Sequence, residues 1–115
     1  MAKVEHFEIP ADDIERASAF YRDVFGFDYE PWGEDMGMIR TGSDDGINGD
    51  LHIRAEVPHP TIVITVDSLE ETLAAVTAHG GEQVGEIQSL DENSRYAYFK
   101  DSEGNLVGAY DSTEN

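Results

Sequence analysis

The sequence predicts an α+β fold: two tandem βαβββ modules forming a curved mixed sheet around a cleft, with helices on the outer face. Three observations predict it. Short strands of period two surround two capped amphipathic helices. The order strand, capped helix, three strands occurs twice. The two passes superpose at an offset of about 55 residues, which pairs Ile9 with Ile64, Gly26 with Gly81, Gly49 with Gly104 and Leu51 with Leu106. Module 1 then spans about 3–56 and module 2 about 59–112, as a single domain, which suits a chain of 115 residues.

The first stretch, "KVEHFEI", alternates and reads as a strand. Val4, His6, Glu8 and Pro10 share one face, and Phe7 and Ile9 the other. In "DDIERASAFYRDVF", Asp12 and Glu15 form an acidic capping box, and Ile14, Ala17, Tyr21 and Val24 fall at helical spacing. Gly26 ends that helix. Strands follow at about 27–32 and 36–41. The loop "GSDDGINGD" contains Asp45-Gly46 and Asn48-Gly49 as turn dipeptides, and "LHIR" is the fourth strand. The second pass opens with "TIVITV", Ile62, Ile64 and Val66 on one face. Asp67 and Glu70 repeat the cap, Leu69, Leu73 and Val76 line the helix, and Gly80-Gly81 close it beside a capping His79. Three strands complete the module at about 82–88, 95–100 and 106–110.

Composition excludes several functions. There is no cysteine, hence no disulfide, zinc-thiolate site or thiol nucleophile. Asp and Glu number 25 against 7 Lys and Arg, a formal net charge of −18. Such a surface repels phosphate backbones and anionic lipid, so neither nucleic acid nor membrane is a partner. "TIVITV" is too short to cross a bilayer, and the first ten residues carry no secretion pattern, so a cytoplasmic location is expected. The acids are spread along the whole chain, which suits a high-salt cytoplasm whose counterions screen self-repulsion.

Chemistry concentrates on the strand face carrying His6 and Glu8, a pairing suited to proton transfer. Strand parity adds Trp32, Met36, Met38, Arg40, Leu51, Tyr96, Tyr98 and Tyr110 to that face. From these we expect a small-molecule site formed by His6, Trp32, Met38, Arg40, Thr61, Tyr98 and Tyr110. Its aromatic lining suits an apolar or flat compound, and Arg40 is its anchor for a carboxylate or enolate. The loop "DDGINGD" fails as a calcium loop, because Gly46 and Ala55 occupy ligand positions counted from Asp44. No P-loop, dinucleotide fingerprint or nucleophile elbow is present.

"HFEIPADDIERASAFYRDVFGF" and the late "DSEGNLVGAY" resemble the vicinal oxygen chelate superfamily, the glyoxalase, bleomycin-resistance and extradiol-dioxygenase group. The resemblance implies a homodimer and one divalent metal in the cleft, held by first- and last-strand residues of each module. His6 matches the first-strand ligand of module 1. Thr61, Ile53 and Gly108 stand at the other three places, so no tightly held metal is expected. A relocated His6–Glu8–His59 set is an alternative, and His52 is assigned to the opposite face. Two functions stay open. One is metal-independent binding of a small apolar or aromatic compound, as in the resistance proteins. The other is a glyoxalase-like lyase, isomerase or epimerase working through a metal or through His6 and Glu8 alone. Extradiol chemistry lacks the two-histidine, one-carboxylate set, and a glutathione substrate would meet a negative surface.

Overall fold

The alternation of the first stretch becomes strand β1, Lys3–Ala11, and the acidic doublet after it starts helix α1, Ile14–Phe25. In the computed structural model, which describes residues 2–113, the chain continues as β2 (Asp28–Pro31), β3 (Met36–Arg40), β4 (Asn48–Ile53) and β5 (Thr61–Thr65). It ends as α2 (Leu69–Ala78), β6 (Glu82–Ser89), β7 (Ser94–Lys100) and β8 (Leu106–Ser112). The order is βαβββ twice, and the fold is α+β. No helix among the described residues is long and apolar enough to cross a membrane.

The chain divides into two compact units, Glu5–Thr61 and the residues from Ile62 on, the latter taking in residues 2–4. In the first unit the strands run β2-β3-β4-β1, with β1 and β4 parallel and the other neighbours antiparallel. In the second they run β5-β8-β7-β6, with β5 and β8 parallel. A hairpin can return only antiparallel, so the parallel partners are strands that a helix separates along the chain.

Each helix covers one sheet face. Under α1, the buried Ala11, Ile39 and Leu51 meet Phe7, Ile9, Ile14, Ala17, Phe27 and Tyr29. Under α2, Leu69, Leu73, Ala97, Phe99 and Ala109 form the second core. Removing a side chain as enclosed as Leu51 costs about 2–5 kcal/mol. The start of α2 is clamped from the sheet: Asp111 accepts from the Leu69 N–H at 2.9 Å, and Arg95 bridges Asp111 and Glu70 at 2.6 Å each. The expected apolar stripe of α1 is only half used, since Val24 is exposed while Tyr21 stacks on Phe25 and Phe27.

Four sequence expectations are corrected. The cap of α1 is Asp13, whose carboxylate accepts from the Arg16 N–H at 3.0 Å. Asp12 instead pairs with Arg54 at 2.9 Å. The cap of α2 is Ser68, not Asp67, accepting from the Glu71 N–H at 3.2 Å. In both cases the helix starts one residue later than the acidic signal, and the side chain three residues before the orphan N–H takes the role. Asn48-Gly49 is not a turn but the start of β4. The faces of β4 are also exchanged: Leu51, expected beside His6, lies in the core under α1, and Asp50 and His52, the latter expected on the far face, share the face of His6 and Glu8.

Candidate functional site

The face of the first unit opposite α1 carries the chemistry. The parallel register places Glu8 directly beside Asp50, with Pro10 beside His52. The antiparallel register on the far side of β4 places Met38 beside Asp50, and Glu30 beside Met38. Gly49 makes the close β1–β4 approach workable, because a Cβ there would run into the ring and carbonyl of Phe7.

One ligand atom from each of His6, Glu8 and Asp50 lies within 4.8 Å of the others. Glu8 and Asp50 are buried, whereas the His6 side chain keeps 31% exposure. Asp50 is the hub. Its Oδ2 is 3.0 Å from His6 Nε2, and its Oδ1 is 2.9 Å from His52 Nδ1. Burial pushes the Asp50 carboxyl up, but hydrogen bonds from His52, His6 and Glu8 outweigh it and hold the group at about 2. His52 reaches the Val57 carbonyl through Nε2 at 3.3 Å. Both of its partners are acceptors, and the hydrogen bond to Asp50 raises its pKa against the opposing effect of burial.

Two carboxyl groups side by side in a buried place are costly unless positive charge or a proton compensates them. One imidazole nitrogen with two carboxylates is a donor set for a hard or borderline divalent ion. Three protein donors also leave coordination positions for a ligand's oxygens. The residues present therefore fit such an ion.

The other expected site residues are placed as follows. Met38 neighbours Asp50 and is half-buried. Trp32 is 55% exposed, at the turn joining β2 to β3. Arg40 is exposed and already paired with Glu30 at 2.7 Å. Thr61 begins β5. Ile53 follows the core-facing parity of Leu51. His59 is exposed and outside the cluster, where Asp50 stands instead. Tyr98 and Tyr110 belong to the second unit, on the face of β7 and β8 opposite its core, where Tyr96 and Tyr98 meet edge to face at 5.9 Å. A Cβ at Gly108 would lie 3.3 Å from the Tyr98 ring, so the glycine makes room for that aromatic. Sequence reasoning misses Asp50 and assigns His52 to the opposite face, whereas the register puts both on the face of His6 and Glu8. The period-two pattern of "GDLHI" was the available signal, and the Asn-Gly turn reading masked it.

The fold and the cluster define a protein of two βαβββ units, one of which carries histidine and carboxylate donors on its strand face. A family model described as the Glyoxalase/Bleomycin resistance protein/Dioxygenase superfamily matches residues 3–108. A glyoxylase-like domain-containing protein of Didymella fabae is 32% identical over 116 residues, covering 90% of this chain and 88% of its own. The chain belongs to this superfamily. Among solved structures, a superfamily member from Vibrio splendidus 12B01 superposes with a TM-score of 0.70 at 19% identity, covering 97% of this chain and 100% of that one. A methylmalonyl-CoA epimerase from Mycobacterium tuberculosis gives 0.69 at 17%, covering 96% and 88%. At such identities the likeness is one of fold.

Proposed function

We propose that the chain is a metal-dependent lyase or isomerase of its superfamily, holding a divalent cation through His6, Glu8 and Asp50. The observation that carries this reading is the convergence of those three donors, two of them buried, on one sheet face. An ion bound there would act as a Lewis acid, polarising a substrate oxygen and stabilising negative charge that develops on it. The protein's own groups have separate tasks. Asp50, held ionised by its histidine neighbours, stays an anionic donor throughout the neutral range. His6, the exposed member, is the group placed to meet an incoming molecule. Met38 supplies an apolar wall beside Asp50.

The substrate class is a small carbonyl compound with a neighbouring oxygen. A net charge of −18 disfavours a bulky polyanionic substrate, and Arg40, the expected anchor for a carboxylate or enolate, is engaged by Glu30. The aromatic face of Tyr96, Tyr98 and Tyr110 supports the second reading, binding of an apolar compound without turnover.

Calorimetric titration of chelator-treated protein with Mn²⁺, Ni²⁺ and Zn²⁺ tests the proposal. One ion per chain, lost in both His6→Ala and Asp50→Asn, is expected. Deuterium exchange from solvent into small 2-oxo compounds would then report turnover. No uptake of any of the three ions overturns the metal reading and leaves apolar ligand binding as the function to screen.

A further inference from the structure

Resting on the cation reading above, we propose that His52 is a positioning residue, which fixes the oxygen of Asp50 that faces His6 and the ion. The two oxygens of Asp50 have different partners. Oδ1 accepts from His52 Nδ1 at 2.9 Å, and Oδ2 lies 3.0 Å from His6 Nε2. A carboxylate's terminal torsion is soft, so an Asp on a strand does not by itself present one oxygen to a fixed point. His52 removes that freedom. Its ring is only 15% exposed, and its far nitrogen is tied to the carbonyl of Val57, a buried residue of the segment after β4. The register sets Pro10 and Met36 beside it on the neighbouring strands. The imidazole is thus a rigid spacer between the anchored Val57 carbonyl and the carboxylate of Asp50, two positions before it on β4. Partners of this kind set ligand orientation, and losing one typically costs 10–100-fold in metal affinity.

Two amide substitutions separate the two ends of the ring. His52→Asn keeps an N–H near the place of Nδ1, toward Asp50. His52→Gln keeps one near the place of Nε2, toward Val57. Mn²⁺ and Zn²⁺ affinities of the chelator-treated full chain are measured by calorimetry, with melting temperatures recorded in chelator. The expected result is affinity close to wild type for His52→Asn and a roughly 10–100-fold loss for His52→Gln, with similar melting temperatures for the two. A purely structural histidine would shift the melting temperatures and leave the affinities equal. Equal affinities, or the reverse order, overturn the positioning role while the cation reading stands. No ion uptake by the wild type overturns both.

Discussion

Glu8 and Asp50 stand side by side on the parallel strands β1 and β4, and each is at least nine-tenths buried. Like groups directly opposite one another weaken strand pairing. Their placement costs stability, and the proposed cation would offset that cost when bound, a trade often seen where function is built. Glu8→Gln, which keeps a donor toward Asp50 without a second acid, should stabilise the chelated protein by up to about 1 kcal/mol, or roughly 4–8 °C in melting temperature. The same change should weaken Mn²⁺ binding at least about tenfold, since a neutral amide oxygen replaces an anionic carboxylate donor. Thermal melts in chelator and calorimetry check the pair of effects. A variant that melts lower and binds as well as wild type would refute both.

Gly49 sits beside Asp50 with the Phe7 ring and carbonyl against it. Gly49→Ala should cost about 1–3 kcal/mol by overpacking and should also lower cation affinity, because the strand carrying Asp50 must shift. Denaturant unfolding and calorimetry on the same preparation measure the two losses. Normal stability would mean that β1 and β4 separate without resistance.

Arg95 grips Glu70 through two hydrogen bonds at 2.6 and 2.9 Å. Chiefly through that contact, the Glu70 carboxyl is held at about 2, against an ordinary value of 4.5. A lowered carboxylate pKa stabilises the fold above the ordinary value, and the contribution fades as pH falls from there toward 2. The melting-temperature gap between wild type and Glu70→Gln should therefore be constant from neutrality to mildly acidic pH and close on further acidification. Melts at fixed ionic strength test the sign, and a gap that widens in acid contradicts it. The pair is exposed, so molar salt should shrink the gap at every pH.

A chain with 25 acidic and 7 basic residues carries strong self-repulsion at low ionic strength. Its melting temperature should rise between about 0.1 M and molar salt, as the screening length falls from roughly 10 Å to 3 Å. A melting temperature indifferent to salt would remove the case for a high-salt habitat.

Local signals made most of the fold legible. Period-two strands, an acidic helix start and glycine helix ends are written in neighbouring residues, and β1, α1, β5 and α2 follow from them within a residue or two. The face shared by His6 and Glu8 is equally local, because alternation along one strand decides it. The cap positions slipped by one because "ADD" and "VDS" each offer adjacent side chains, and only the true helix start selects between them.

The remainder of the site was decided by tertiary structure. Asp50 and His52 lie more than forty residues from His6 in sequence, and no spacing rule links them. The parallel register of β1 and β4 brings them together, and that register is set by the packing of Leu51 under α1 and of Phe7 over Gly49. A strand has only two faces, so a one-residue shift in the pairing register of β4 exchanges Leu51 for Asp50 as the residue facing the site. The sequence by itself determined that a βαβββ unit would form twice and that one strand face would carry His6 with Glu8. Only burial of the apolar alternates on β4 decided that a second carboxylate and a second histidine would join them.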